Sequence, residues 1–293
     1  MDQKIIVLGS SGMLGQEVVR TFAQNKVAFS AFSRGAVTQN HFDFCDQTAY
    51  EIVDQLSLSE KSYIINCIGW IPQRASGIPG NDKKDAWKLN VRLPARLEEI
   101  SVQLGVRVLQ VATDCVFNGE TGNYSESDEP NAEDLYGNTK REGEQLQPSA
   151  MRIRASIIGD DINTNAGLFS WYKSQPPSGN VTGFTNHIWN GVTTRALARL
   201  FMGIIANDGF VSGVQHWIPR DTVSKLTLLN LFRMYLKGTG ASVTPGLGSS
   251  SVDRTLSTNN PLASNDYWGL AGYGPSPSIE DLVQEMIENS FQF

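Results

Sequence analysis

The pattern that most constrains this chain is the alternation, over its first 160 residues, of short apolar runs with longer amphipathic segments. The apolar runs are nearly continuous, which is typical of strands buried on both faces of a parallel sheet. They lie at residues 4–8, 27–32, 63–68, 107–112 and 151–158. Segments with helical spacing lie between them, at residues 13–24, 85–104 and 136–145. This alternation predicts a doubly wound α/β fold.

The second half of the chain has fewer continuous apolar runs. Residues 194–205 and 223–236 have helical spacing, and a strand is expected between them near 214–218. A last amphipathic helix is predicted to begin at Ser278, a suitable N-cap. The apolar face of that helix comprises Ile279, Leu282, Val283 and Met286.

Two structural units are expected from this change of pattern. Residues 1–160 are predicted to form a Rossmann-type domain with a doubly wound parallel sheet. Residues 161–293 are predicted to form a smaller α/β lobe, parts of which cross back to the first domain. Loops are expected at residues 175–179 and in the Gly- and Ser-rich segment 238–251.

Charge and hydropathy exclude several classes of protein. The net charge of -6 argues against nonspecific binding to nucleic acid or to an acidic membrane surface. No stretch approaches the run of about 20 apolar residues that a membrane helix needs. Met1 is followed almost directly by the first strand, without the longer apolar region of a signal peptide. We therefore expect a cytoplasmic protein that binds neither nucleic acid nor membrane.

The cysteines and histidines are too scattered to suggest a metal site. The three cysteines are odd in number, and buried reduced thiols are the expected state. The three histidines form no close-spaced ligand set with them, so no metal is predicted. The residues concerned are Cys45, Cys67, Cys115, His41, His187 and His216.

A glycine-rich turn follows the first predicted strand and opens the first predicted helix. Its glycines permit a tight turn and close approach of a pyrophosphate, and the helix N-terminus supplies free N–H groups and a positive dipole end. Such a turn alone is also typical of a structural loop. Its place after an N-terminal apolar strand favours dinucleotide binding. The residues expected to contact the cofactor are Gly9, Ser11, Gly12, Met13, Leu14 and Gly15.

The end of the second predicted strand bears on the choice of cofactor. An acidic residue there would accept a hydrogen bond from the ribose 2′-hydroxyl, but this chain has Ser33 and Arg34. A hydroxyl and a guanidinium suit a 2′-phosphate, although Arg34 is also compatible with a plain surface position. The pattern favours NADP(H) and leaves NAD(H) open. Asp43 and Phe44 are candidates for the adenine contact, with a loop cap as the alternative for Asp43.

Tyr136 and Lys140 are four residues apart, which places both side chains on one face of the predicted helix. A nearby cation favours the phenolate form of a tyrosine and so prepares it for proton transfer. Alone, this pair is also typical of an ordinary helix surface. Thr113 adds specificity because it follows the fourth predicted strand, at the edge where open parallel sheets bind ligands. Its hydroxyl is suited to polarising a substrate carbonyl.

Together these motifs resemble the extended short-chain dehydrogenase/reductase superfamily, and most closely its dTDP-4-dehydrorhamnose reductase family. The resemblance covers nearly the whole chain and is strongest over the first 160 residues. The matching segments, in order, are Gly9–Gly15, Asn66–Gly69, Asn90 before Pro94, Thr113-Asp114, Glu129-Pro130, Tyr136–Glu144 and Arg152–Ser156.

The resemblance implies an oxidoreductase that uses NAD(P)H to reduce a nucleotide-linked 4-keto-6-deoxy sugar, as in dTDP-rhamnose and surface polysaccharide biosynthesis. It implies a Thr113–Tyr136–Lys140 catalytic set. Residues 1–160 would then bind the dinucleotide and residues 161–293 the sugar nucleotide, and a homodimer is among the open oligomeric states. The further cofactor contacts it implies are Cys67, Ile68, Gly69, Asn90, Ala112, Tyr136 and Lys140.

Three departures from the family pattern concern the substrate. Cys115 replaces an aromatic residue after the Thr-Asp pair, Ile157 stands where a tryptophan is frequent, and residues 185–191 replace an Asp-Gln-containing segment. Arg254 suits a substrate diphosphate, with an interdomain salt bridge as the alternative. Packing or loop capping is the alternative for the other candidates. The substrate-contact candidates are Trp70, Thr113, Asp114, Cys115, Asn186, His187, Trp189, Asn190 and Arg254.

Two other functions stay open. Relatives with a cysteine at the position of Cys115 both epimerise and reduce, with a histidine as partner, and His187 is the candidate here. Other relatives are non-catalytic NADP-binding regulatory subunits, although such a protein has no need to retain Thr113, Tyr136 and Lys140 together.

Overall fold

We describe a computed structural model of the chain, covering residues 3–33, 46–75, 80–164, 166–237 and 239–290. Its strands are β1 (Ile5–Leu8), β2 (Ser30–Phe32), β3 (Tyr63–Asn66), β4 (Arg107–Ala112), β5 (Met151–Arg154), β6 (Ile157–Ile158), β7 (Asn180–Phe184), β8 (His187–Trp189), β9 (Val192–Thr193), β10 (Gly213–His216), β11 (Val223–Ser224), β12 (Ser242–Gly246) and β13 (Val252–Asp253). Its helices are α1 (Met13–Gln24), α2 (Ala49–Leu56), α3 (Asn81–Trp87), α4 (Leu93–Leu104), α5 (Leu135–Gln145), α6 (Leu168–Lys173), α7 (Thr194–Ala206), α8 (Lys225–Tyr235), α9 (Pro261–Leu270) and α10 (Ile279–Ser290).

Six strands form one parallel sheet in the order β10-β5-β4-β3-β1-β2. The chain passes from β1 outward to β2 and then crosses back to β3 on the other side of β1. The carboxyl ends of strands at such a switch point form the usual ligand crevice of an open α/β sheet. The predicted doubly wound, Rossmann-type α/β fold is confirmed.

Helices cover both faces of this sheet and bury its continuous apolar strands. On one face α1 and α7 pack together, with Val18 and Phe22 of α1 and Phe201 of α7 fully buried. On the other face Ile52 of α2 and Leu97 of α4 lie against the strands. Burying side chains of this size stabilises the fold by about 1.5–3 kcal/mol each.

The predicted strand 151–158 is wrong in one respect, because it divides into β5 and β6. β5 pairs with β4 in the large sheet, whereas Ile157 of β6 pairs with Val192 of β9. The segment reads as one strand in sequence, but its pairing partner changes after Arg154. This change turns the chain away from the large sheet at the carboxyl end of β5.

The later part of the chain builds a second core from small sheets and helices. β11, β8 and β13 form one sheet and β12 pairs with β7. Phe169, Tyr172 and Phe232 are fully buried there beside α8 and α10. β10 returns to the edge of the large sheet beside β5. The division of the chain near residue 160 stays a prediction.

No helix in the described ranges is both long enough and apolar enough to cross a membrane.

Candidate active site

A cavity of about 440 Å³ opens at the carboxyl ends of the parallel strands. Thr113 follows β4 at its wall, and Tyr136 and Lys140 enter it from α5. A smaller adjoining cavity of about 150 Å³ extends toward the glycine-rich turn. Lys140 and Tyr136 line both spaces, so the two cavities meet at this pair.

The glycine-rich turn has the geometry of a phosphate cradle. Gly9 has a φ of +81°, and a Cβ there would lie 2.9 Å from Cγ1 of Ile68. A Cβ on Gly15 would clash with the carbonyl oxygen of Gly9. Gly12 begins α1 as an N-cap without a side-chain cap, which leaves first-turn N–H groups of α1 available to an anion.

The smaller cavity joins this turn to the end of β3. Its walls include residues predicted from the sequence as cofactor contacts, namely Gly12, Met13, Leu14, Cys67, Ile68, Gly69, Tyr136 and Lys140. Ala112 lines the larger cavity instead. Ser33 lies next to the turn, because the carbonyl oxygen of the preceding Phe32 accepts hydrogen bonds from Gly9 and Ser10. Arg34, Asp43 and Phe44 lie outside the described residues.

Asn90 ties the segment after β3 to helix α5. It lies in a π-helical turn, Lys88–Arg92, between α3 and α4. Its Oδ1 accepts from the Trp70 backbone N–H at 2.9 Å, and its Nδ2 donates to Oγ1 of Thr139 at 3.1 Å. Asn90 is buried and is not a wall residue of either cavity, so its observed contacts are with the protein.

Helix α5 presents Tyr136 and Lys140 on one face, as their spacing predicts. Asp134 caps the helix by accepting a hydrogen bond from the Gly137 backbone N–H at 2.9 Å. Lys140 donates from Nζ to the carbonyl oxygen of Val111 at 3.0 Å. Burial raises the pKa of Tyr136, and burial lowers the pKa of Lys140 against the opposing charge of Glu144.

A short 3₁₀ turn, Asp114–Val116, follows Thr113. The hydroxyl of Thr113 donates to Oδ1 of Asp114 and accepts from the Cys115 backbone N–H, both at 3.2 Å. Burial raises the pKa of Asp114, and burial together with the Asp114 charge raises the pKa of the Cys115 thiol to about 12. Cys115 is therefore a thiol rather than a thiolate at neutral pH, which makes it a weak base.

The sequence candidates from the smaller lobe divide into two groups. Arg254 lines the larger cavity, and its Nε donates to the carbonyl oxygen of Phe117 at 2.9 Å. In the described ranges no carboxylate forms an ion pair with it. Its guanidinium therefore keeps donors that a bound anion can use.

The remaining lobe candidates lie away from both cavity walls. The amide of Asn186 bonds backbone groups of Gly248, and the amide of Asn190 bonds both backbone groups of Leu256. His187 is within 3.2 Å of the Ser250 carbonyl oxygen, and Trp189 is buried. The loop-capping alternative describes the observed contacts of the two asparagines.

Trp70 also points away from the open space. It is 7% exposed and packs against Leu89 and Tyr136 in a small apolar cluster. Its indole therefore supports the wall behind Tyr136. A sugar ring in the cavity would meet the aliphatic side chains of Ile71, Ile157 and Leu168 instead.

Some wall residues were missed by sequence reasoning. Gln73, Gly167 and Leu168 come from loops or a short helix with no motif that marks them. Asn163, in the same loop region, donates to the carbonyl oxygen of Ser11 at 2.9 Å and so ties that region to the glycine-rich turn. Asp134 had a detectable signal, since it is an acidic residue two positions before the predicted helix 136–145.

Metal ligation finds no support in the geometry. Among residues that the structure describes, no three His, Cys, Asp or Glu side chains are grouped so that they could hold a metal ion. The larger cavity is lined by hydroxyl, phenol, ammonium and guanidinium groups together with the Cys115 thiol and the carboxyl groups of Asp114 and Asp134.

Comparison with protein families decides the relationship that these motifs suggest. The model of the RmlD substrate binding domain matches residues 3–243. The chain belongs to the RmlD substrate binding domain family. The match includes the glycine-rich turn, Thr113, Tyr136 and Lys140, and it ends before Arg254.

The proteins to which this chain is similar carry names for different activities. The chain is 27% identical over 250 residues to the methionine adenosyltransferase 2 subunit beta of Bos taurus, covering 76% of this chain and 69% of that protein. It is 27% identical over 230 residues to a probable low-salt glycan biosynthesis reductase of Haloferax volcanii, covering 74% and 75%. The structure of dTDP-4-dehydrorhamnose reductase from Bacillus anthracis in complex with NADP aligns with a TM-score of 0.75 at 17% identity, covering 99% of this chain and 100% of that one.

Proposed function

We propose that this protein reduces the keto group of a nucleotide-linked 4-keto-6-deoxy sugar with NAD(P)H. The observation that carries the proposal is the convergence of Thr113, Tyr136 and Lys140 on one cavity that adjoins an uncapped glycine-rich helix N-terminus. Two similar proteins are named as reductases, one of them in a complex with NADP. Because the chain is similar both to a reductase and to a regulatory subunit, the proposal of a reductase depends on the geometry of the site.

The residues present fit a dinucleotide. Gly12 lines the smaller cavity, where an added Cβ would meet only the Gly9 carbonyl oxygen, and the first turn of α1 offers N–H groups to a pyrophosphate. Lys140 is placed to hold ribose hydroxyls where the two cavities meet. When bound, the reduced nicotinamide supplies a hydride to the substrate carbonyl carbon. NADP(H) is favoured by Ser33 and Arg34, and NAD(H) stays open.

The side chains of this cavity have complementary roles in the proposed reduction. Tyr136, whose raised pKa keeps the phenol protonated, donates its proton to the carbonyl oxygen. Thr113 reorients its hydroxyl from Asp114 to the same oxygen and stabilises the developing negative charge. Lys140 contributes its positive charge beside Tyr136, which offsets the cost of proton loss.

The substrate is held through its charged and apolar parts. Arg254 retains donors for the diphosphate of a sugar nucleotide. Ile157 and Leu168 give the wall an aliphatic surface suited to the methyl group of a 6-deoxy sugar. A dTDP-linked sugar of surface polysaccharide biosynthesis is the substrate we propose first.

A second candidate function is that of a non-catalytic NADP-binding regulatory subunit. The similarity to the methionine adenosyltransferase subunit beta favours it. A bifunctional epimerase-reductase that uses Cys115 is less well supported, because burial keeps this thiol protonated and His187 does not line the cavity.

The deciding experiment is to follow NADPH oxidation by absorbance against a panel of nucleotide-linked 4-keto sugars. We expect saturable turnover with at least one member, and loss of that turnover in Tyr136→Phe. Tight NADPH binding without turnover of any member would favour the regulatory-subunit candidate. Turnover that Tyr136→Phe leaves unchanged would contradict the proposed mechanism.

A further inference from the structure

Glu144 is a buried carboxylate one helical turn beyond Lys140. It is 5% exposed and lies four residues after Lys140 on α5, so both side chains occupy one side of the helix. Unlike Lys140, Glu144 is absent from the walls of both cavities. Burying a charge is costly unless the charge is paired, so the groups that pair with the Glu144 carboxylate need to be identified.

Arg154 of β5 is the direct partner of Glu144. Its Nε lies 3.1 and 3.0 Å from the two carboxylate oxygens, and its Nη2 lies 2.7 Å from Oε2. Arg154 is itself only 4% exposed. Charge-assisted bonds of this kind are short and fix the orientation of the carboxylate.

Two further cations lie within the field of the same carboxylate. Arg152 donates from Nη1 to the backbone carbonyl oxygen of Glu144 at 2.8 Å. Burial lowers the pKa of Arg152 and that of Lys140, and in both cases Glu144 is the largest influence opposing the effect. Of the three cations, Arg154 contacts the Glu144 carboxylate directly, Arg152 bonds the Glu144 backbone carbonyl oxygen, and Lys140 lies one helical turn before Glu144 on α5.

Few other titratable side chains act on Glu144 and the three cations near it. Cys115 is the remaining titratable group that acts on Lys140, and it is protonated at neutral pH. Glu98 of α4 acts on Arg152, and its oxygens accept from the Ser149 backbone N–H at 3.0 and 3.3 Å. His216 lies 3.3 Å from Arg154 on the side away from the carboxylate contacts.

We propose that Glu144 is a positioning residue: it is the counter-ion that lets Lys140 remain charged beside the buried Arg154 and the half-buried Arg152. Arg154 holds the carboxylate in place, and the carboxylate acts on Lys140 along the helix. The importance of Lys140 for turnover rests on the proposed function. The electrostatic relationship between Glu144 and Lys140 does not, and it can be measured in the protein without substrate or cofactor.

The direct test is the protonation of Lys140 itself. Competitive acetylation with acetic anhydride at a series of pH values, read by mass spectrometry, gives the pH at which Lys140 becomes half-reactive. We expect Glu144→Gln to lower this midpoint by about one pH unit or more, which corresponds to a tenfold change in the protonation constant. Glu142→Gln is the matched control, because Glu142 lies on the same helix but pairs with Arg141 at 3.6 Å.

Two more variants keep the test decisive if Glu144→Gln fails to fold. Arg154→Met removes the cation that pairs directly with Glu144. The Glu144 charge should then stabilise the Lys140 ammonium more strongly, so the acetylation midpoint of Lys140 should rise. The double variant Glu144→Gln/Arg154→Met restores the local net charge, and replacing both members of a buried pair is often tolerated. The Lys140 midpoint of the double variant should therefore be near that of the wild type, between the midpoints of the two single variants.

NADPH binding, measured by fluorescence at the same pH values, provides the link to function. As the pH is raised, we expect the NADPH affinity of Glu144→Gln to begin to fall at a lower pH than the NADPH affinity of Glu142→Gln. A folded Glu144→Gln protein with the Lys140 midpoint of Glu142→Gln would overturn the proposal, as would a midpoint that Arg154→Met leaves unchanged. Absence of reductase activity in the wild type would count against the proposed function and would leave the acetylation result intact.

Discussion

Lys140 donates a hydrogen bond to the carbonyl oxygen of Val111 at 3.0 Å, which joins the middle of α5 to the end of β4. Val111 is two residues before Thr113, so this one contact helps to set the position of Tyr136 and Lys140 relative to the threonine. The cavity wall is thus fixed by rigid elements, a helix and a buried strand, rather than by loops alone. Rigid placement of this kind favours a preorganised site.

Tyr136→Phe removes the proposed proton donor and keeps the ring that packs beside Trp70. We expect kcat to fall by about 10²- to 10⁴-fold, the usual contribution of a general acid, while NADPH affinity changes little. Absorbance assays and fluorescence titration measure the two effects. Tyr235→Phe is the control, because this half-buried tyrosine of α8 lies outside both cavity walls, and it should have wild-type kcat and NADPH affinity. A Tyr136→Phe enzyme with near-normal kcat would refute the role.

The glycine-rich turn offers a pair of substitutions with different outcomes. A Cβ on Gly12 meets only the Gly9 carbonyl oxygen, at 3.4 Å, whereas a Cβ on Gly15 clashes with that oxygen and cannot be accommodated without backbone movement. Gly12→Ala should therefore fold normally and lose NADPH affinity, because the methyl group enters the cradle. Gly15→Ala should lower the thermal unfolding midpoint as well. Equal stability of the two variants would contradict this distinction.

Arg34 tests the choice of cofactor that the sequence favours. Arg34→Ala should weaken NADPH binding much more than NADH binding, because only NADPH carries the 2′-phosphate that a guanidinium binds. Fluorescence titration with both cofactors measures the difference. Equal losses for the two cofactors would exclude a 2′-phosphate contact and favour a surface role for Arg34.

Much of the large sheet could be predicted because its signals are local. The helix predicted at 13–24 coincides with α1, and the strand predicted at 107–112 coincides with β4. A continuous apolar run and a glycine N-cap are sufficient for such elements. Helix α2 was missed although Thr48 and Glu51 form a capping box, a signal that the sequence does carry.

The shortest strands after β5 could not be derived in the same way, although helices α7, α8 and α10 lie close to their predicted positions. β6, β9, β11 and β13 have two residues each, and they exist because distant segments pair. No periodicity can be detected over two residues, and the partner of β6 is known only from the three-dimensional arrangement.

The residues of the site were also predicted only in part. Thr113, Tyr136 and Arg254 reach one cavity, as expected from their motifs and polar context. Asn186 and Asn190 do not, because an asparagine amide suits a backbone carbonyl and N–H as well as it suits a sugar. Sequence alone cannot distinguish these two uses, since both require the same residue type in a polar loop.

The buried environment of His216 predicts how the stability of the folded protein depends on pH. It is 1% exposed, and its Nδ1 donates to the Ser257 carbonyl oxygen at 2.7 Å while its Nε2 accepts from Arg154 at 3.3 Å. Arginine can only donate, so the ring is neutral in this arrangement. Burial lowers the pKa of His216 in the folded protein, although Glu126 and Glu144 oppose the effect.

Because the folded pKa is below the unfolded value, this group contributes stability above about pH 6.5. The contribution is lost as the pH falls through and below that value, since the unfolded chain binds the proton first. Each pKa unit between the two states corresponds to about 1.4 kcal/mol. Thermal unfolding between pH 5 and 8 should show this slope, and His216→Gln should flatten it. His187→Gln is the control, and a slope unchanged by His216→Gln would contradict the assignment.

Cys115 decides between plain reduction and epimerisation coupled to reduction. Burial raises the pKa of its thiol to about 12, so little thiolate is present near neutral pH to remove a proton from a carbon beside the keto group. Turnover in deuterated water should therefore place no deuterium on those carbons, as read by mass spectrometry of the product. Cys115→Ser should keep most of the reductase activity, because reduction relies on Tyr136 for its proton. Deuterium incorporation that Cys115→Ser abolishes would instead show that the thiol acts as a base, and its pKa would then have to fall when substrate binds.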